Sequence, residues 1–302
     1  MGQVHELIIH RGIDEARRLA DTKRQRQLVE AAYQVLSDDA EKLGFSYSGF
    51  ALTSLPHKES NALVWRREGY NLTLLLESGH DRNGHPIGLP YGSVSRFILL
   101  FLQSEAIKTR SREIELGASM HEWLGHQGLS VGGRTYRTVR DQARRISRCR
   151  LTFYADHSGQ EIMRQGGFVD GSITMHEAHH DQASLWQDHV LINEEFYRAL
   201  KKHPVPLSET ALKAIGSKST VLDIYIWLAY RLHSLRLDTS VSWPSLYAQF
   251  GSSYKSLRQF RFNFLEGLQL ALAAYPEARV SADDAGLVLH PSSPPVSKIK
   301  VG

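Results

Sequence analysis

The stretch GRTYRTVRDQARRISRC, residues 133–149, predicts a helix with two chemically different faces. At about 100° per residue, its side chains separate by character around the helix. One stripe consists of Arg137, Arg140, Arg144 and Arg148, and the opposite side of Tyr136, Val139, Ala143 and Ile146. We therefore expect one face to pack against a core and the other to remain available to a charged partner.

Positive charge is concentrated in this stretch and in one later stretch. Seven arginines and one acid lie between Val131 and Arg150, and three cations with no acid lie between Ser252 and Arg261. The two stretches carry +6 and +3, more than the net charge of +4 of the whole chain, so the remainder is slightly acidic. This distribution is typical of a protein that binds a polyanion. The alternative interpretation is a solvated charged face.

The composition bounds the class of protein. The 302 residues, 42% apolar and 23% charged, are typical of a folded protein with room for two domains. The longest strongly apolar run, Phe97–Leu102, is much shorter than the roughly 20 residues of a membrane span. Cys149 is the only cysteine, which excludes an internal disulfide. Charged residues at Asp14 and Glu15 replace the apolar core of a signal peptide, so we expect cytoplasmic residence.

Before the basic helix, the chain predicts helix, then strands, then a loop. The first 45 residues have helical periodicity that ends at Gly44. Residues Ala62–Glu77 predict two extended runs with a turn at Glu68 and Gly69. Asn, Gly and Pro in His80–Pro90 predict a loop.

One order of elements then occurs twice: apolar helix, short strand, helix, tight turn, basic helix, hairpin. The first copy begins with an apolar helix from Ser93, a strand Arg112–Leu116 and a helix start marked by a capping box at Ser119–Glu122. It continues with the basic helix Gly133–Cys149 and ends with two strand-like runs, Leu151–Tyr154 and Phe168–Met175, around a polar loop. The second comprises a helix from Ser219, an extended Val241, a short helix with Pro244 in its first turn, a basic helix capped by Ser252 or Ser253, and a hairpin of Arg279–Val280 and Leu287–Leu289.

This order is that of a winged helix. We therefore predict an α+β fold with two tandem winged-helix domains and an N-terminal helical extension. The predicted boundaries are 1–45 for the extension, 46–205 and 206–292 for the two domains, and 293–302 for a flexible tail, with a linker near His203–Ser208. The basic helix of each domain then takes the place of the helix that enters the major groove of DNA.

The second basic helix has the same division into faces. Tyr254, Lys255, Arg258, Arg261 and Phe262 fall on one side, and Leu257, Phe260, Phe264 and Leu268 on the other. Gln259 lies near the polar face and could pair with adenine, while ordinary packing is the alternative for Tyr254 and Phe262. The DNA-binding candidates are thus Arg134, Arg137, Arg140, Arg144, Arg148, Ser253, Tyr254, Lys255, Arg258, Gln259 and Arg261.

One motif points to a different chemistry. His176-Glu177-Ala178-His179-His180 matches the zinc-hydrolase pattern HExxH, in which two histidines bind zinc and the glutamate acts on a metal-bound water. The motif directly follows a strand-like run, whereas zinc chemistry needs it on a helix, and His189 is the only nearby third ligand. We expect an exposed histidine cluster rather than a metal site, no cofactor and no enzymatic activity.

Several motifs resemble one protein family. They are Gly88–Leu102, Thr109–Gly117, Gly132–Arg134 leading to Arg140–Gln142, Ser147–Arg150, and Trp243–Phe250. In this order and spacing they resemble the plasmid replication initiators of the RepA type, relatives of the TrfA-like initiators. The resemblance runs from about Trp65 to Leu289 and is more specific in its first half; residues 1–45 match nothing.

The resemblance implies a function and partners. Initiators of this type bind repeated origin sequences (iterons) through two winged-helix domains, open the neighbouring duplex, and recruit the host proteins DnaA and DnaB. They form dimers when they repress transcription or pair origins. By position in the repeat, the helix near Ser253 becomes the base-reading element and the helix of Arg137 and Arg144 a second docking element. A dimeric winged-helix repressor is the closest alternative and a zinc hydrolase the distant one.

Overall fold

A computed structural model describes residues 2–38, 42–117, 120–157, 160–171, 173 and 189–296. The chain divides into two compact units. We call Phe45–Pro204 the central unit, and Met1–Gly44 together with Val205–Gly302 the terminal unit. The N-terminal residues therefore belong to the same unit as the C-terminal third of the chain.

Helices account for most of the regular structure. Within the described residues the α-helices are α1 Gln3–Leu19, α2 Lys23–Leu36, α3 Ser48–Leu52, α4 Gly92–Thr109, α5 Met120–His126, α6 Gly133–Arg148, α7 Glu194–Lys202, α8 Glu209–Ile215, α9 Ser219–Arg231, α10 Trp243–Phe250 and α11 Leu257–Ala273. A short 3-10 turn, Leu232–Ser234, follows α9.

The strands are short, and most form antiparallel pairs within one unit. They are β1 Leu43–Tyr47, β2 Val64–Gly69, β3 Leu72–Glu77, β4 Gly79–His80, β5 Pro86–Gly88, β6 Glu113–Glu115, β7 Arg150–His157, β8 Gln160–Gly166, β9 His189–Leu191, β10 Pro204–Ser208, β11 Thr239–Ser242, β12 Val280–Ala282 and β13 Gly286–Leu289. Helices and sheets together make an α+β fold, as the sequence predicts.

The central unit contains a four-stranded antiparallel sheet of order β2-β3-β7-β8. In the pairing of β3 with β7, Leu74 lies opposite Phe153 and Leu76 lies opposite Leu151. All four side chains are buried. Because side chains alternate along a strand, these pairs place one face of the sheet against the core. Phe153 joins a cluster of aromatic rings that also contains Tyr47, Phe50, Phe168 and Phe196.

Helix α4 has ten buried residues among its eighteen, and several of its polar side chains are bonded within the core. Ser104 Oγ accepts a hydrogen bond from the backbone N–H of Phe45 at 2.8 Å, and Gln103 Oε1 accepts one from Tyr47 at 2.7 Å. The guanidinium group of Arg96 donates to the carbonyls of Leu55 and Pro56. These bonds offset the cost of burying polar groups and fix the chain around α4.

Three local predictions for the central unit were wrong. The first turn lies at Tyr70 and Asn71 rather than at Glu68 and Gly69, with Asn71 in the left-handed region at φ 53°. The stretch His80–Pro90 is not only loop, because β4 and β5 pair within it. Beside β3, β7 pairs with β8, which occupies the predicted polar loop, whereas the described part of the predicted strand Phe168–Met175 contains only an isolated bridge from Val169 to Ile192. The stretch of β8 is polar in sequence because it lies at the edge of the sheet.

In the terminal unit, nine of the thirteen residues of α9 are buried, and α11 packs across this helix. Gly267 of α11 lies so close to Ile224 and Val221 that a Cβ atom there would be 3.3 Å and 3.4 Å from their side chains. Helix α2 packs against α8 and α11, and α1 packs against α2. The N-terminal helices are therefore built into this unit.

The end of the terminal unit is a three-stranded sheet of order β11-β13-β12. The predicted hairpin is confirmed, with Val280 opposite Leu289 in the register. The carboxylate of Asp283 closes its turn by accepting the N–H groups of Ala285 and Gly286, both at 2.8 Å. The start of the segment predicted as a flexible tail is packed, since Tyr275 donates to the carbonyl of Ser293 and Val296 is buried.

Candidate nucleic-acid interface

Helix α6 has the two faces that its sequence predicts. The five arginines Arg134, Arg137, Arg140, Arg144 and Arg148 are all exposed, whereas Val139, Ala143 and Ile146 are buried. Tyr136, predicted on the buried side, is only half-buried. Cys149 ends the helix, and its N–H bonds to the carbonyl of Arg145. The helix thus presents a row of guanidinium groups on a face that its core contacts hold in place.

Two polar residues of α6 do not belong to that row. Arg145 donates to Asp141 Oδ2 and Glu59 Oε1 at 2.8 and 2.9 Å, and its guanidinium group lies 5.2 Å from the centre of the Tyr91 ring. Gln142 is fully buried and accepts the N–H of Tyr91 at 2.8 Å. The charge of +6 between Val131 and Arg150 therefore includes Arg145, whose guanidinium group is engaged within the protein.

The hairpin β4–β5 adds to this surface. A cleft of about 460 Å³ is lined by His80, Asp81, Arg82, Asn83, Ile87, Arg144 and Arg148. The carboxylate of Asp81 accepts the N–H groups of His85 and Asn83, and these bonds lower its pKa. Arg144 lies 3.9 Å from the same carboxylate. Sequence reasoning missed Arg82, although the turn residues Asp81, Asn83 and Gly84 signal a hairpin.

The second basic helix begins later than the sequence predicts. Ser256, not Ser252 or Ser253, caps α11, since its Oγ accepts the N–H of Gln259. Ser253, Tyr254 and Lys255 consequently lie in the turn before α11 rather than on the helix. The side chains of Ser253, Lys255, Arg258 and Gln259 are exposed, and this group is brought together at the start of α11.

Two of the predicted contact residues are partly engaged within the protein. The guanidinium group of Arg261 stacks 5.0 Å from the centre of the Trp243 ring and donates to Asp284 Oδ1 at 3.2 Å. The ring of Tyr254 packs edge-on against Phe260, and burial raises its pKa. Arg261 therefore connects α11 to α10 and to the β12–β13 turn, and Tyr254 fixes the turn before α11.

The faces of α11 follow the prediction except at Leu257, and Phe262 lies on the predicted basic side. Phe260, Phe264 and Leu268 are buried as expected, whereas Leu257 is 37% exposed because it stands at the first position of the helix. Phe262 is 66% exposed, so the packing interpretation of this residue was wrong. An apolar ring accordingly stands on the exposed side of α11, one turn after Arg258.

The zinc-hydrolase motif at residues 176–180 lies outside the described residues. Within the described part of the chain, no three His, Cys, Asp or Glu side chains form a group that could hold a metal ion. Among the helices that the structure describes, none combines the length and apolar character needed to cross a membrane.

Comparison with known structures concerns the fold. The chain is similar to selenomethionine derivatives of domains 2 and 3 of RctB, with a TM-score of 0.52 and 12% identity over 83% of this chain and 99% of that chain. A second crystal structure of RctB domains 2–3 matches with a TM-score of 0.45 and 11% identity, covering 80% of this chain and 94% of that one. No curated protein sequence matches the chain.

Comparison with protein families concerns the identity of the chain. The model of the family described as "Plasmid encoded RepA protein" matches residues 89–244. This match covers just over half of the 302 residues, including all of α4 and α6 and the strands β7 and β8. The chain therefore belongs to the family of plasmid-encoded RepA proteins, the plasmid replication initiators of the RepA type.

Proposed function

We propose that this initiator binds the repeated sequences (iterons) of a plasmid origin as a non-enzymatic DNA-binding protein, with α6 and α11 as its two contact helices. One observation carries the proposal: each unit exposes basic side chains on one face of a helix whose other face is packed in the core. These are the five exposed arginines of α6, and Arg258 of α11 with Lys255 in the turn before it. Family membership supplies the expected ligand, the DNA of a replication origin.

The terminal unit supports a winged-helix interpretation. Its elements follow the order α9, β11, α10, α11, β12 and β13, with β11 added to the edge of the closing hairpin. In a winged helix, the element at the place of α11 enters the major groove and the hairpin lies beside it. Arg261 joins these two parts through Trp243 and Asp284, which supports their action as one surface.

The central unit has the same order of elements with different strand pairing. The order is α4, β6, α5, α6, β7 and β8, yet β6 pairs with β9, and the β7–β8 hairpin joins β2 and β3 in the larger sheet. We propose that α6 docks as the second helix of a helix-turn-helix. Its hairpin is held by a sheet, and β4–β5 contributes Arg82 beside the helix.

The mechanism that we propose is mechanical rather than catalytic. Exposed guanidinium groups on α6 neutralise phosphates and release counterions, which contributes affinity on any sequence. Arg258 and Gln259 on α11 have the donor and acceptor patterns that read guanine and adenine edges. Binding energy gained at the repeats is spent on deforming an adjacent AT-rich duplex. The opened origin then recruits the host proteins DnaA and DnaB, and dimers of the chain act in repression.

Footprinting on a tandem-repeat plasmid origin tests this proposal. We expect protection of each repeat and, with the host initiator present, permanganate reactivity of thymines in the neighbouring AT-rich DNA. Protection without permanganate reactivity would indicate a dimeric transcriptional repressor instead. Absence of protection on the repeats would contradict the proposal entirely.

A further inference from the structure

A second basic surface lies in the terminal unit, around a cleft of about 680 Å³. Its walls are the start of α2, the start of α9 and one side of α11. Three cationic side chains line it, Lys23 and Arg24 from α2 and Lys218 at the start of α9. These residues stand far apart in the sequence, and the fold of the terminal unit brings them together.

The charges around the cleft are mostly positive. Among the described residues that line it, Glu266 is acidic, and it is bonded to Arg24. The ammonium group of Lys218 donates to Gln27 Oε1 at 2.6 Å. Burial and the neighbouring charges of Arg24 and Lys23 lower the pKa of Lys218. An anion placed in the cleft would relieve this mutual repulsion.

The remaining lining groups suit the oxygens of a phosphate. Ser217 and Ser219 supply hydroxyl groups, which can donate to phosphate oxygens, whereas the Thr220 side chain is hydrogen-bonded to Tyr254. Helix α9 begins at the same place, and its N-cap residue Lys218 offers no side-chain acceptor to the N–H groups of the first turn. The positive end of the helix dipole adds to the attraction that the lysines and the arginine exert.

The cleft adjoins the proposed reading face of α11. Tyr254 lines the cleft and directly precedes Lys255. Asn263 also lines it, and its Nδ2 donates to the carbonyl of Gln259 at 2.8 Å. A duplex that meets Arg258 and Gln259 would therefore bring its sugar-phosphate backbone close to this cleft.

We propose that the cleft binds a backbone phosphate of the same duplex, beside the groove that α11 reads, so that the N-terminal helices form part of the DNA interface. This inference rests on the proposed function. It assigns the residues before Gly44 a direct contact with DNA through Lys23. Because a phosphate contact carries no sequence information, the cleft contributes affinity and register rather than specificity.

The test compares the double variant Lys23→Gln, Lys218→Gln with the wild-type full chain, using fluorescence anisotropy over a series of salt concentrations. The probes are a labelled origin duplex with the tandem repeats and a scrambled duplex of equal length. We expect the log–log salt slope to fall by about 0.9, because the one phosphate held in the cleft is no longer neutralised. Both duplexes should lose affinity by the same factor. Lys213→Gln, on α8 of the same unit and not among the residues that line the cleft, is the matched control and should leave the slope unchanged.

The other outcomes separate the inference from the proposed function. An unchanged slope in the double variant, with normal binding by the wild type, overturns the inference alone. A wild-type chain that binds neither duplex overturns the proposed function as well. A thermal-shift titration with inorganic phosphate at constant ionic strength distinguishes a site for free phosphate from a site for DNA. If inorganic phosphate stabilises the wild type but not the double variant, and the DNA slope is unchanged, the cleft is a site for free phosphate and not for DNA.

Discussion

Arg145 Nε donates to Asp141 Oδ2 at 2.8 Å, one helical turn earlier on α6. The same guanidinium group reaches Glu59 at 2.9 Å, and the Arg145 side chain is only 12% exposed. The preceding arginine in the sequence, Arg144, has a side chain that is 60% exposed. Two adjacent and chemically identical residues therefore have different roles, one within the protein and one on its surface.

This difference predicts opposite effects for two matched substitutions. Arg145→Ala should lower the free energy of unfolding by roughly 1–3 kcal/mol, because it leaves Asp141 and Glu59 without their charged partner. Arg144→Ala should leave stability nearly unchanged and reduce the affinity for duplex DNA and its salt slope. Urea denaturation and anisotropy titrations of both variants check this. Equal effects of the two variants on DNA binding would contradict the assignment.

The exposed stripe of α6 predicts a salt effect. Arg137→Ala with Arg140→Ala should weaken binding to any duplex and flatten the log–log salt dependence by about 0.9 for each phosphate that the stripe no longer neutralises. The measurement is the dissociation constant between about 50 and 200 mM salt, where several phosphate contacts already change affinity by orders of magnitude. Thr138→Ala, at an intervening position of the same helix, is the control. A slope identical to that of the wild type would show that α6 does not contact the backbone.

Arg258 on α11 predicts an effect on specificity. If its fork pairs with guanine O6 and N7, Arg258→Ala should cost roughly 1–3 kcal/mol on the cognate repeat and much less on a scrambled duplex. Arg258→Lys should not restore this affinity, because a lysine cannot form the same bidentate pair. Equal losses on cognate and scrambled DNA would instead make Arg258 a phosphate contact.

The exposed ring of Phe262 predicts a contact with a thymine methyl group, since it lies one turn beyond Arg258 on the exposed side of α11. Phe262→Ala should weaken binding to the repeat with little change in stability. Replacing the contacted thymine by uracil should weaken the wild type but not the variant. The measurement is a scan of single thymine-to-uracil substitutions across the repeat. If no position distinguishes the two proteins, the ring does not contact a thymine methyl group.

A buried histidine predicts a pH dependence. His5 on α1 is bonded through Nε2 to the carbonyl of Ala273 at 2.9 Å, and burial lowers its pKa. The unfolded chain takes up this proton at about pH 6.5, before the folded chain does, so stability is fully present above that pH and falls as the pH decreases. Urea denaturation at pH 7.5 and 5.0 should show a smaller loss for His5→Gln. His10→Gln, an exposed position on the same helix, should behave as the wild type.

The faces of α6 could be predicted from the sequence because periodicity reports directly which side is apolar. The internal contacts of Arg145 could not be predicted, because its partner Glu59 is 86 residues away in the sequence and is brought close only by the fold. The strand β8 escaped prediction for a related reason. It lies at a sheet edge and is polar in sequence, so it resembles a loop.

The start of α11 shows a limit of local signals. Ser252, Ser253 and Ser256 are all suitable N-caps, and only the last one bonds to the helix. The packing of residues 1–44 could not be predicted either. The sequence of an amphipathic helix shows that one face is apolar but not which element that face packs against. The packing of these residues with α8 and α11 follows from long-range contacts alone. The order of the elements, by contrast, followed from apolar periodicity, caps and turn residues.

We propose that α6 of the central unit and α11 of the terminal unit each contact the DNA. The most direct test is an anisotropy titration of the full chain with an origin duplex, comparing the wild type with the triple variant Arg137→Ala, Arg144→Ala, Arg258→Ala. We predict a loss of affinity of about 100-fold or more at an unchanged melting temperature, since each tenfold loss corresponds to roughly 1.4 kcal/mol. A triple variant that binds the origin duplex with wild-type affinity would contradict the account.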